Sequence, residues 1–132
     1  MTQLADLVVL CIDNEPKILD GMATLLGGWG CHVLKAADLK AALATVSDAR
    51  TPPTGVLVDY HLDSGNGIEA IAALRWRFGA ELPAILITAD RSPAVREEAR
   101  ARDIQVLPKP LKPAALRALM AQWRVTRMAA AE

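Results

Sequence analysis

Gly55-Val56-Leu57-Val58-Asp59 decides the fold: an apolar run that ends on a carboxylate and opens into the loop Tyr60-His61-Leu62-Asp63-Ser64-Gly65-Asn66-Gly67. A run of this length reads as a buried strand. Three others end in the same manner. Leu7-Val8-Val9-Leu10-Cys11-Ile12 runs into Asp13, Ala84-Ile85-Leu86-Ile87 runs into Thr88, and Ile104-Gln105-Val106-Leu107 stops at Pro108-Lys109-Pro110. Open α/β sheets place their chemistry at the carboxyl rim of such strands. If the four strands are parallel neighbours, one pocket gathers two carboxylates, a hydroxyl and an ammonium. That is the donor set of a phosphoryl-transfer site.

Between the strands the apolar spacing changes to a helical period. Ile18, Leu19, Met22, Leu25 and Leu26 share one face of a first helix that starts near Glu15-Pro16, with Asn14 as its expected N-cap. Cys31-His32-Val33-Leu34 is a further short strand. Asp38 is placed to cap a second helix, and a third runs from about 67 to 78. The fourth helix starts at Ser92-Pro93 and has only Val95 among several alanines, so it is expected to pack weakly. A fifth begins after Pro113 and buries Leu116, Leu119, Met120 and Trp123. Five βα units predict a parallel sheet covered on both faces by helices. The expected architecture is a flavodoxin-like doubly wound five-stranded parallel sheet in the order 2-1-3-4-5, which brings Asp13 and Asp59 together at the switch point.

Composition narrows the function. The chain has 132 residues, a length that predicts one domain over 1–132 with its core at about 5–125. Fifteen basic and fifteen acidic residues leave no net charge, so the electrostatic footprint of a nucleic-acid binder is missing. No apolar run reaches membrane-spanning length, and no charged stretch precedes an apolar one at the start. These features predict a cytoplasmic domain without nucleic-acid or membrane contact. Cys11 and Cys31 lack the close-spaced partners of a metal site and read as reduced core thiols.

Taken in order, Asp13 in Cys11-Ile12-Asp13-Asn14-Glu15-Pro16, Asp59 in Val58-Asp59-Tyr60-His61-Leu62, Gly65 and Gly67, Thr88-Ala89, and Lys109-Pro110 resemble the receiver domain of two-component response regulators. The resemblance covers essentially the whole chain. It implies that Asp59 accepts a phosphoryl group from the phosphohistidine of a sensor histidine kinase or a histidine phosphotransfer protein. It further implies Mg²⁺ (or Mn²⁺) held by Asp59, by Asp13 with Asn14, and by the backbone carbonyl of His61. Lys109 would pair with phosphoryl oxygens, Thr88 would donate to another, and Lys109-Pro110 would be a cis peptide. The surface near the fourth helix and fifth strand would switch, and a homodimer is compatible with such a domain. The segments Asp13-Asn14-Glu15-Pro16 and Gly28-Trp29-Gly30-Cys31 look similar to receivers at the C-terminus of hybrid sensor histidine kinases.

Two positions depart from the family pattern. Asn14 stands where a second carboxylate is usual, which predicts weaker Mg²⁺ binding. Val106 stands where many receivers have an aromatic residue, so the usual rotamer switch has no side chain to act through. Both support a rival reading, a pseudo-receiver that acts only as a docking module. A haloacid-dehalogenase-type phosphatase needs a second aspartate two residues after its nucleophile, and His61 stands there instead. A flavodoxin-type FMN site is disfavoured because Asp13 and Glu15 would repel the phosphate.

Overall fold

In the computed structural model, residues 4–49 and 51–131 are described, with side chains through Trp123. Arg50 and the ends of the expected domain, residues 1–3 and 132, lie outside them. The order of elements is β1 (Val8–Ile12), α1 (Pro16–Gly28), β2 (His32–Ala36), α2 (Leu39–Ala49), β3 (Gly55–Asp59), α3 (Gly67–Phe78), β4 (Ala84–Thr88), α4 (Pro93–Ala101), β5 (Gln105–Pro108) and α5 (Pro113–Ala131). The five strands form one parallel sheet in the order β2-β1-β3-β4-β5. This is the doubly wound, flavodoxin-like arrangement that the strand and helix spacing predicts.

Strand parity divides the core into two layers. Leu10 and Ile12, Val56 and Val58, and Ala84 and Leu86 face α2, α3 and α4, where they meet Val46, Ile71, Leu74 and Val95. Val9 and Cys11, Leu57, and Ile85 and Ile87 face α1 and α5, where they meet Leu26, Leu116, Met120 and Trp123. Successive side chains on a strand must point to opposite faces. Gly55 belongs to the second layer, and its lack of a Cβ lets the Trp123 ring lie directly on β3. A Cβ there would stand 2.4 Å from the ring.

Several local expectations need correction. Asn14 does not cap α1. The residue in the cap position is Glu15, without a side-chain bond, because the neighbouring Asp13 carboxylate accepts the Glu15 N–H at 2.9 Å. Ile18, expected on the inner face, is largely exposed, because only Leu19 and Leu26 of that helix are fully covered. β2 begins at His32, one residue after Cys31, and runs to Ala36. Asp38 and Ser92 do accept bonds from Ala41 and Val95 N–H at the starts of their helices. Trp76 stands 92 % exposed, while Trp123 is buried.

Candidate functional site at the carboxyl rim

Among the described residues, the buried polar side chains are Asp13, Asp59 and Thr88. Polar groups are rarely left in a core without a use, because each loses its hydration there. All three sit at the carboxyl end of the sheet, and its ladder continues just past the strand ends to fix them. Asp13 N–H donates to Ala36 O at 3.1 Å, Tyr60 N–H to Ile87 O at 3.0 Å, and Lys109 N–H to Thr88 O at 3.0 Å.

Parity then sorts the side chains. Asp13 continues the Val9-Cys11 series, Asp59 the Leu57 series and Lys109 the Leu107 series, so all three turn to the α1/α5 side. They line one cavity of about 370 Å³ together with Lys17, Ile18, Met22, Leu57, Ile87 and Pro110. Thr88 continues the Ala84-Leu86 series and turns to the other side. With Asp90, Arg91, Arg96, Val106 and Pro108 it lines a separate cavity of about 70 Å³. The predicted residues thus form two groups, one on each side of the sheet's rim.

Lys109 Nζ lies 2.9 Å from Asp59 Oδ1. At that distance the ammonium is the partner of this otherwise unsatisfied buried oxygen. Burial opposes the charge on Lys109, but contact with Asp59 and the fields of Asp59, Asp13 and Glu15 outweigh it and raise its pKa. The pKa of Asp13 is also raised, by burial first and then by the Asp59 charge, against the lowering effects of the Glu15 N–H bond and of Lys109. One ammonium therefore serves two buried carboxylates. The Lys109-Pro110 peptide is cis.

Two buried carboxylates that face one cavity, one of them in contact with Lys109 and the other with a raised pKa, fit a divalent cation. No three His, Cys, Asp or Glu side chains converge as a ready cage among the described residues. A cation here would draw on two carboxylates, neutral oxygens and water, which is the style of Mg²⁺ rather than of a closed protein cage. Asn14 is at the rim, its Nδ2 donating to Asp63 Oδ1 at 2.9 Å. His61 is exposed; its ring is edge-on to Tyr60, and its backbone bridges to Asn66.

Three elements of the rim escaped the sequence reading. Asn66 caps α3 by accepting the Glu69 N–H, while the Glu69 side chain accepts the Asn66 N–H; the Asn66-x-x-Glu69 spacing carries that signal. Asp63 is the second. The third is a ladder in the loop after β4. Asp90 N–H donates to Thr88 Oγ at 2.9 Å, Ser92 N–H to Asp90 Oδ1 at 2.8 Å, and Val95 N–H to Ser92 Oγ at 3.4 Å. It joins Thr88 to the first turn of α4.

Comparison with known proteins bears on the family and the fold. The model of the response regulator receiver domain family matches residues 9–121. The solved structure of the chemotaxis protein CheY4 of Vibrio cholerae is similar at 26% identity and a TM-score of 0.77, covering 88% of this chain and 97% of that one. A response regulator receiver domain protein from Clostridium thermocellum superposes with a TM-score of 0.83 at 19% identity, covering 96% and 99%. The receiver domain of the hybrid histidine kinase CckA does so with 0.70 at 22%, covering 88% and 97%. At those two identities the likeness is one of fold. No curated protein matches the chain. None of the helices described is long and apolar enough to cross a membrane.

Proposed function

The chain belongs to the response regulator receiver domain family, and from that premise we propose that Asp59 is the phosphoacceptor of a phosphorelay. The observation that carries the reading is the Lys109 ammonium 2.9 Å from a buried Asp59 oxygen in a cavity that also holds Asp13. The donor is the phosphohistidine of a sensor histidine kinase or a histidine phosphotransfer protein. A carboxylate oxygen of Asp59 forms a bond to phosphorus as the phosphorus–nitrogen bond breaks. The electron pair returns to the imidazole, which leaves neutral once it takes a proton.

The barrier to this step is repulsion between carboxylate and phosphoryl oxygens. Lys109 lowers it directly, because its raised pKa keeps it cationic throughout the physiological range. Asp13, Asn14, Asp59 and the His61 carbonyl would hold Mg²⁺ (or Mn²⁺), which supplies further positive charge when bound. The mouth of the cavity, with Ile18 exposed beside it, is the entrance left open on the α1 side.

Output runs through Thr88. Its Oγ accepts from Asp90 N–H, so its own hydrogen remains free to donate to a phosphoryl oxygen. Turning to do so loosens the Thr88–Asp90–Ser92–Val95 ladder at the start of α4. That helix buries only Val95 and Ala99, so little apolar contact resists its movement. In this reading the ladder does the work that Val106 cannot. Residues 1–132 act as one cytoplasmic receiver domain with its core at about 5–125, alone, as a homodimer or within a hybrid kinase.

Acetyl phosphate with Mg²⁺, followed by intact mass, tests the reading. The chain should gain one phosphoryl group, and Asp59→Asn and Lys109→Ala should each lose that gain. Failure to be phosphorylated by small donors and by any competent kinase would instead support a pseudo-receiver, the reading to which Asn14 and Val106 lend weight.

A further inference from the structure

Asn14, at the rim beside the proposed cleft, is a side chain with two chemically different ends. Its amide offers an oxygen at one end and N–H groups at the other, and only the oxygen can face a cation. In the structure its Nδ2 lies 2.9 Å from Asp63 Oδ1, a contact between the loop after β1 and the loop after β3. A carboxylate can only accept hydrogen bonds, so the nitrogen end must be the one engaged. Oδ1 is the end left free.

Asp63 is also held in place. Gly67 N–H donates to Tyr60 O at 2.8 Å, a bridge joins His61 to Asn66, and the reciprocal Asn66–Glu69 bonds fix the far side of the loop. Gly65, at φ +76°, supplies the turn between them. The loop therefore presents the carboxylate from a pinned backbone.

We propose that Asp63 is a positioning residue for Asn14: by holding Nδ2 it selects the amide orientation that leaves Oδ1 for a divalent cation. This chain would thus recover part of the metal affinity lost when an amide stands in place of a carboxylate. The inference rests on the reading that the cleft binds Mg²⁺. Partners behind the ligand commonly matter in this way, because they fix the orientation of the group that touches the metal.

Calorimetric titration of the full chain with Mg²⁺ tests it, using Asp63→Ala and Asp63→Asn in the native chain and again in an Asn14→Asp background. Loss of such partners typically weakens metal binding about 10-fold or more, and this pair is exposed, so Asp63→Ala should weaken Mg²⁺ by roughly three- to tenfold. Asp63→Asn keeps an acceptor oxygen and should stay within about twofold. With Asp at position 14 there is no amide to orient, and Asp63→Ala should then cause no loss. Equal losses in the two native-chain variants would mean that Asp63 acts only through its charge, and would overturn the proposal. So would an unchanged affinity in Asp63→Ala, or the same loss with Asp at position 14. If the native chain takes up no Mg²⁺ at all, the metal reading itself fails and this inference falls with it.

Discussion

Gly67 is where the fold and the cleft constrain one another most tightly. A Cβ placed on it would stand 2.5 Å from the backbone oxygen of Asp59 and 2.6 Å from Leu86 Cδ1. Both lie far inside the roughly 3.5–4.0 Å at which non-bonded atoms attract. The Leu86 methyl belongs to a packed side chain on β4, and the oxygen to the last residue of β3, so neither can step aside cheaply. Gly67 cannot retreat either, because its N–H is bonded to Tyr60 O at 2.8 Å. Overpacking of this kind costs about 1–3 kcal/mol, and a clash with backbone belongs near the top of that range. Alanine would recover about 0.4–1 kcal/mol by restricting the unfolded chain. A net loss of about 2 kcal/mol is the expected outcome for Gly67→Ala.

Gly21, in the middle of α1, is the internal control. A Cβ there would meet nothing within 4 Å, so Gly21→Ala should stabilise by about 0.5–1 kcal/mol through helix propensity alone. Urea unfolding followed by circular dichroism, with equal slopes, gives both values. The Gly67→Ala domain should also take phosphate from acetyl phosphate more slowly, since relief of the clash displaces the Asp59 backbone. A Gly67→Ala midpoint at or above that of the native chain would refute the geometry, as would a loss of similar size in Gly21→Ala.

Three further outcomes follow from burial and charge. Because burial and then Asp59 raise the folded pKa of Asp13 above its ordinary 3.8, the ionised group costs stability at neutral pH; that cost fades as pH falls through the raised folded pKa and is gone below 3.8. Asp13→Asn should therefore raise the urea midpoint at pH 7 in EDTA and lose its advantage in acid; a lower midpoint at pH 7 would contradict this. The Cys11 thiol is pushed up to about 12 by burial, and that of Cys31 is also raised by burial. Neither should react with iodoacetamide at pH 8 until the chain unfolds, and labelling of the native protein would show the packing to be wrong. Trp76→Ala should change stability by less than about 0.5 kcal/mol, whereas Trp123→Ala should cost about 3–5 kcal/mol, with urea midpoints as the measure.

The architecture was legible because it depends on two periods that a single sequence displays. Runs such as Gly55-Val56-Leu57-Val58 and the spaced apolar positions of α3 and α5 leave few ways to cover a sheet on both faces. What was not legible depends on choices between equivalent partners. Asn14 is a good cap for a helix that starts near Pro16, and nothing in the sequence says that Asp13 accepts the Glu15 N–H instead. Asp13 takes it in the fold, and this frees Asn14 to cross to Asp63, a residue 49 positions away. Likewise Ile18 and Leu19 are equally apolar, and only the depth of the α1 packing leaves Ile18 at the surface.

The division of the site into two groups depends on the sheet register as well as on the sequence. Counting by two from Leu57 reaches Asp59, and from Leu107 it reaches Lys109, whereas counting from Leu86 reaches Thr88. The pairing of Leu57 with Ile85, Val58 with Leu86 and Ile87 with Leu107 then places the first two on the opposite side of the sheet from the third. Val106, one residue before Leu107, falls on the Thr88 side, and the small cavity lined by both follows from that. In the proposed function a phosphoryl group on Asp59 would stand at the carboxyl rim, with Lys109 on its own side of the sheet and Thr88 on the other. The proposed function thus puts the chemistry on the α1/α5 side and the response on the α4 side. Under that proposal Val106 is too small to report a movement of Thr88, and the signal would be left to the loop bonds that run from Thr88 through Asp90 and Ser92 to the start of α4.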